Sequence, residues 1–280
     1  MKRLLFVLLA GALVCTTVNA QGVKTPAPSP TVSMKQDFGL SSIELSYSRP
    51  AKKGRVIFGD LVPFGKVWRT GANGATTLTF GDDVTIGGTS VKAGKYGLLS
   101  IPGATEWTLI ITKQTNVTSP SAYKQEEDVV RVKVKPMALP KSIENFTIEV
   151  GNIKAASCEL WLMWDKTVVA LPIATEVDSK VMAQINEAMK SDNPPYFAAA
   201  AYYLENNKDL NKALEWFTIA ADKDPNAYWI SYQKAKCLAK LGKKADAITT
   251  AKASMAKAEE QKNPDYVKLN ADLIKSLAGK

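Results

Sequence analysis

The hydrophobic period of this chain changes once, around residues 173 to 180, and that change fixes what each half can become. Before it, short runs rich in Val, Ile, Thr and aromatic residues alternate with Gly, Pro and Asn clusters, the pattern of antiparallel strands joined by tight turns. After it, apolar residues recur at spacings of three and four, the pattern of helices. The predicted strands are SIELSYS, TTLTF, DVTIG, YGLLSI, WTLIIT, VVRVKVKP, NFTIEVGNI, CELWLMW and TVVALPI. So many short strands predict a β-sandwich or jelly roll. The fold class is therefore α+β multidomain: an antiparallel β-sandwich or jelly-roll-like domain over residues 31–176, then an all-α module over 177–280. Within CELWLMW, Cys158, Leu160, Leu162 and Trp164 share one face, which predicts core. Trp161 and Met163 share the other, which wants cover from the helical half or from a ligand resting on Trp161.

The helical half contains a repeat. A shift of thirty-four residues pairs Ala201 with Ala235, Leu204 with Leu238 and Ala213 with Ala247. Phe197, Ala200, Ala201 and Leu204 form one helical stripe, Ala213, Phe217 and Ala220 the next, and Pro225 closes the unit. This resembles the tetratricopeptide repeat, with two units over about residues 194–262 and capping helices at Asp178–Lys190 and Asp265–Leu277. The resemblance implies a groove lined by the inner helices, which would present Tyr202, Glu205, Tyr232, Lys236 and Lys240 to a protein or peptide partner. The alternative is that these residues only solvate the module or dock it.

At the other end, MKRLLFVLLAGALVCTTVNA has the charged start, apolar middle and small-residue cleavage site of a secretory signal, with cleavage expected after Ala20. The apolar run is short for a transmembrane helix, and no other long run follows. Cys15 suggests a lipoprotein, but Val14 is bulky where that processing needs a small residue. The expectation is an exported chain, periplasmic or secreted, beginning with a proline-spaced tether over residues 21–30. Cys158 and Cys237 then remain, and buried free thiols are expected in preference to a bridge. The formal charge of +9 falls by two when Lys2 and Arg3 leave, and the excess is spread over both halves without a basic tract. That argues against nucleic acid and for a mild attraction to anionic envelopes or polymers.

The chain has no histidine. Serine–histidine–acid triads, cysteine–histidine dyads and histidine-ligated metal centres are thereby excluded. Phosphate-cradling glycine motifs are missing too, so no nucleotide cofactor is expected. Asp82-Asp83 before a Gly-Gly turn lacks the further oxygen ligands of a calcium loop, and no metal is expected there either.

The densest run of glycine, arginine and aromatic residues is GRVIFGDLVPFGKVWRTGANG, residues 54–74. The longer run YSRPAKKGRVIFGDLVPFGKVWRTGANGATTLTF, with AGKYGLLSIPG and EWTLIITK, strongly resembles the secreted bacterial family known as domain of unknown function 2911, over about Thr31 to Pro172. The resemblance implies the fold neighbourhood and tetratricopeptide-like helices behind it, but no activity. Similar sequences usually read GANE where Gly71-Ala72-Asn73-Gly74 stands here, so a carboxylate site at that position would be lost. Ile57, Phe58, Leu61, Val62 and Phe64 read as an apolar plug under a long loop. Arg49, Arg55 and Arg69, with Trp68 and Asn73, have two readings. They line an anion- or sugar-binding pocket, since guanidinium is a bidentate donor that stacks on rings. Or they hydrogen-bond loop carbonyls and pair with Asp60 or Glu44, holding the loop in place.

Three functions follow. The first is a non-catalytic extracytoplasmic binding or scaffolding protein acting through its helical repeats. The second is a carbohydrate- or anion-binding module using the 49–74 region. The third, a carboxylate-based hydrolase, ranks last because no Asp/Glu pair is placed together by the sequence.

Overall fold

The computed structural model describes residues 25–279, so the signal and the first part of the tether lie outside the described residues. The chain divides into two compact units between Thr175 and Glu176.

The first unit consists of two antiparallel sheets. Its strands are β1 (Thr31–Phe38), β2 (Ser41–Ser48), β3 (Thr77–Phe80), β4 (Val84–Ile86), β5 (Thr89–Val91), β6 (Gly94–Ile101), β7 (Trp107–Thr112), β8 (Asp128–Val134), β9 (Met137–Gly151) and β10 (Ser157–Thr175). One sheet runs β1-β2-β3-β6-β7-β8 and the other β5-β4-β10-β9. Alternation explains the layering. Ile43, Leu45, Leu78, Leu98, Leu109 and Ile111 of the first sheet share one core with Ile148, Leu160, Leu162 and Trp164 of the second. Leu99 and Ile110 are buried as well, on the reverse face, where they meet Val117 and Tyr123 of the β7–β8 connection.

Two strands have weak sequence signals. TVSMKQDF forms β1, but its outward residues are polar and half its length is exposed, so it carries no apolar run. The three-residue strand β5 is created by the Gly87-Gly88 turn, where both residues have positive φ (56° and 80°), the requirement of a two-residue hairpin. CELWLMW and TVVALPI are one strand, not two. Register shifts on either side of Asp165 mark a bulge, and Asp165 sits at φ 49°. A bulge lets a long strand bend without ending. Lys52 Nζ and Ser142 Oγ both lie 2.7 Å from Asp165 Oδ1, and the hydrogen bond from Lys52 holds that carboxyl below its ordinary range.

The second unit contains α1 (Asp178–Ala188), α2 (Tyr196–Glu205), α3 (Leu210–Lys223), α4 (Tyr228–Lys240), α5 (Lys244–Glu260) and α6 (Pro264–Ala278). Successive helices from α2 to α6 pack on one another. Ala199, Ala200, Ala213, Ala247 and Ala251 are all buried, and their small side chains allow close approach. Phe217 is fully buried beside Trp216, whose ring meets Tyr203 edge-on at 4.9 Å. Asp209 caps α3 by accepting from the amides of Asn211 and Lys212, and Asn263 caps α6 ahead of Pro264. A buried polar link joins three helices: Asn270 donates to Ser254 Oγ (2.9 Å), which donates to the Tyr228 carbonyl (2.7 Å). Among the described residues, no helix is long and apolar enough to cross a membrane.

Candidate functional site

The segment between β2 and β3 has few ladder bonds of its own, so its backbone polar groups need other partners. Isolated bridges supply some, pairing Ala51 with Asn145, Phe58 with Val62, and Trp68 with Ser100. Side chains supply others. Thr70 is fully buried at φ 55°, a conformation that β-branched residues rarely adopt. It is held there because Thr76 Oγ1 donates to its carbonyl at 2.6 Å while its own hydroxyl donates to Ser100 Oγ at 2.9 Å. This locked residue sets the directions in which its neighbours Arg69 and Gly71 leave. Gly71 has no alternative there: a Cβ would lie 3.0 Å from Thr76 Oγ1 and 3.1 Å from the Ser48 carbonyl.

The three arginines satisfy carbonyls, as the structural reading of the sequence expects. Arg49 reaches β9, donating from Nε to the Phe146 carbonyl (3.1 Å) and from Nη2 to Thr147 Oγ1 (2.6 Å). Arg55 donates to the carbonyls of Lys52 (3.0 Å) and Ala51 (2.5 Å). Arg69 donates from Nη1 to the Thr118 carbonyl (2.7 Å), tying the segment to the β7–β8 connection. The expected carboxylate partners are not used. Glu44 pairs with Lys35 instead, and among the described residues Arg49, Arg55 and Arg69 form no ion pair with an acidic side chain. Asn73, at φ 56°, donates to the Ser29 carbonyl (3.0 Å) and so pins the tether.

Arg55, Trp68 and Arg69 come together around a cleft of about 330 Å³, whereas Arg49 and Asn73 lie outside its walls. Trp164 forms its floor, with Pro50, Leu61 and Val62 as apolar walls. The two indoles are stacked, 5.9 Å between centroids and 17° between planes. Trp68 keeps its ring fixed by donating from Nε1 to the Gly71 carbonyl at 3.1 Å. No acidic side chain lines the cleft. Arg69 Nε is buried and without a hydrogen-bond partner, an open donor beside the cavity. The arrangement can neutralise an anion and cover an apolar or planar body; it offers no group poised to take a proton. Sequence reasoning assigns Trp164 to the core and has no signal for Leu61 or Val62 as lining, because alternation does not predict how an irregular loop folds back.

The apolar plug is corrected by the structure. Ile57 and Val62 are buried, but Leu61 and Phe64 are 41% and 44% exposed and their neighbour Val56 is 63% exposed. The segment doubles back at Gly59, where Phe58 pairs with Val62, so its apolar residues point to both sides.

A larger cleft, about 590 Å³, lies by the Gly87-Gly88 turn and includes Cys158 and Glu159. Cys158 and Cys237 are free and buried. Burial, and secondarily Glu159, push the Cys158 thiol up to about 11, away from the reactive thiolate. Glu159 is occupied by Asn152 Nδ2 (2.7 Å) and Trp161 Nε1 (2.8 Å). Asp83 is likewise a brace, accepting from the Ala93 amide and pairing with Lys92 at 2.8 Å.

In the helical unit three of the groove candidates, Tyr202, Tyr232 and Lys240, have partners in other parts of the unit. Tyr202 donates to Asp178 Oδ1 of α1 (2.9 Å), and Tyr232 packs edge-on against Tyr266 of α6 (5.6 Å). Lys236 lies 5.6 Å over the Tyr232 ring. Lys240 donates to the Leu204 carbonyl and Asn207 Oδ1, each at 3.0 Å. Glu205 is exposed.

The first unit is thus a two-sheet domain with a small, basic, tryptophan-floored cleft at its β2–β3 segment. The chain belongs to the family described as protein of unknown function (DUF2911), whose model matches residues 29–173, from the cleft residue Ser29 to the end of the second sheet. No curated protein and no solved structure matches the chain.

Proposed function

We propose that the protein is a non-catalytic binding protein whose two-sheet unit takes a small anionic ligand with an apolar or planar body into the Arg55–Trp68–Arg69 cleft. The observation that carries this reading is a pair of guanidinium groups at a tryptophan-walled cavity with no carboxylate to neutralise them. The cavity volume, about 330 Å³, matches the lower end of small-ligand sites, which suits a substituted carboxylate, an organic phosphate or an acidic sugar. The ligand is met outside the cytoplasm, in keeping with the secretory pattern of the first twenty residues.

The helical unit we read as two tetratricopeptide-like repeats, α2–α3 and α4–α5, capped by α1 and α6. The thirty-four-residue offset between the starts of α3 and α5 supports that reading. It would serve scaffolding towards a protein or peptide. The side-chain partners of Tyr202, Tyr232 and Lys240 make the inner-helix groove a weaker candidate than the cleft.

The test is a calorimetric screen of aryl carboxylates, organic phosphates and uronic acids against the wild type and the Arg55→Ala and Arg69→Ala variants. At least one class should bind, and each variant should weaken it tenfold or more, since a hydrogen bond to a charged group contributes about 1.5–3 kcal/mol. Binding unaffected by both substitutions would remove the cleft from consideration.

A further inference from the structure

The tip of the β2–β3 segment has a property that the cleft does not explain. Val56, Leu61 and Phe64 are exposed by 63%, 41% and 44%, three large apolar side chains within nine residues. They are neighbours in space as well. The Leu61 amide donates to the Val56 carbonyl (3.3 Å), and the Phe64 ring lies so close over Gly59 that a Cβ there would come within 2.8 Å of it. Phe64 and Pro136 line one small cavity, and Met137, next in the chain, is 54% exposed. The apolar surface therefore continues from the tip onto the start of β9.

This surface is ringed by cations. Lys53, Arg55, Lys66 and Lys135 are exposed and lie within three residues of Val56, Phe64 or Met137 in sequence. From Arg49 to Arg69 there are six basic residues against one acidic residue, Asp60. Lys52 is paired with Asp165 (2.7 Å), and the Glu144 carboxylate accepts from the Lys53 amide (2.7 Å). Against Asp60 and Glu144, the exposed Lys53, Arg55, Lys66 and Lys135 leave the tip with an excess of two positive charges.

We propose that this tip docks on an anionic lipid bilayer, with Val56, Leu61, Phe64 and Met137 entering the headgroup layer and the four cations resting on lipid phosphates. The charge favours a bilayer. Exposed apolar side chains bordered by an excess of cations suit a deformable surface that is negative outside and apolar beneath. The proposal is independent of what the cleft binds. It shares only Leu61 and Arg55 with it, so neither needs to be altered in the test.

The experiment uses the chain from Gln21, without the apolar signal run and its Cys15, carrying a single environment-sensitive fluorophore on Val56→Cys; Cys158 and Cys237 are buried and remain unlabelled. A second sample carries the label on Leu40→Cys, at the opposite end of β2, about 25 Å away at strand rise. Both are titrated with phosphatidylcholine vesicles, with and without phosphatidylglycerol. The expected result is a blue shift at position 56 only, on phosphatidylglycerol vesicles only, abolished at high salt as charges are screened. Phe64→Ser, or Lys66→Glu with Lys135→Glu, should each weaken it at least tenfold without lowering the melting temperature. No shift at position 56, equal shifts at both positions, equal shifts on neutral vesicles, or indifference to Phe64→Ser would each overturn the proposal. Failure of the ligand screen would leave this result unaffected, and the reverse also holds.

Discussion

The β2–β3 segment and the helices α2 and α4 carry the two sets of candidate binding residues, and their polar groups are employed differently. In the segment, arginines turn part of each guanidinium to backbone carbonyls that no strand partner reaches, while Arg55 and Arg69 still border an open cleft. Within the helices most carbonyls are served by the helix itself, so most side chains are free to find one another. Tyr202 takes Asp178, Tyr232 takes Tyr266, and Lys240 takes Asn207 with the end of α2. The difference teaches that irregular backbone can hold charged donors in place without neutralising them. Regular backbone exposes side chains, but their neighbours then absorb them.

The largest expected effect tests whether the cleft is structural at its base. Trp68 contacts Trp164, Phe146 and Phe58 through its ring. Trp68→Ala should cost about 3 kcal/mol, the lower end for a buried ring because Trp68 is only half-buried, read as a lowered denaturant midpoint. A loss below about 1 kcal/mol would mean that the ring serves the ligand and not the core.

Next come the arginines, which divide the segment itself. Arg49→Ala leaves the carbonyl of buried Phe146 without its donor, at a cost of about 1–3 kcal/mol, and should leave ligand binding intact. Arg55→Ala and Arg69→Ala remove bonds to exposed segments and should cost about 1 kcal/mol or less while weakening binding tenfold or more. Equal melting losses across all three, with binding unchanged, would erase the contrast between segment and groove. It would leave the arginines as scaffold alone.

How much of this is legible in the sequence depends on the same distinction. Regular elements declare themselves: Ile43, Leu45 and Tyr47 alternate and are buried, and α1 and α6 end within two residues of where their periodicity and caps place them. Strand β1 escapes because its outward face is polar, and β10 reads as two strands because a bulge at Asp165 resembles a turn in one dimension. In the segment, residue types point to Arg55, Trp68 and Arg69 but cannot exclude Arg49, since the direction each arginine takes is set by the locked conformation of Thr70 and by bridges to Asn145 and Ser100. Those are contacts between distant parts of the chain, and no local pattern encodes them.

A smaller effect is expected on the helices. Hydrogen bonds from Lys208 and Tyr202 hold the Asp178 carboxyl below its ordinary value of 3.8. A carboxylate depressed in the folded state contributes stability above the unfolded value, and that contribution disappears as pH falls through the lower folded one. Tyr202→Phe should therefore lower the melting temperature slightly at neutral pH, and the difference from the wild type should vanish as pH falls below the folded value. If peptide ligands bound the wild type and not this variant, Tyr202 would be a groove residue after all.

The smallest effect concerns Gly74, the position at which the family resemblance leads one to expect glutamate. Nothing lies within 4 Å of a Cβ built on Gly74, and its φ is not in the left-handed range, in contrast to Gly71 three residues earlier. A side chain can thus be added without displacing any neighbour, and Gly74→Glu should leave the melting temperature unchanged or slightly raised, because glycine loses more backbone entropy on folding. Its carboxylate would stand two residues from Ala72, which lines the cleft. An exposed charge at that range interacts by about 0.2–1 kcal/mol. Here the sign is repulsive towards an anion and attractive towards the two guanidinium groups. Ligand affinity should accordingly fall by a factor of about two to five, and the loss should vanish at high salt. A gain in affinity, or binding of a cation by Gly74→Glu that the wild type lacks, would mean that the glutamate completes a site of opposite charge preference, and the anion reading of the cleft would have to be given up.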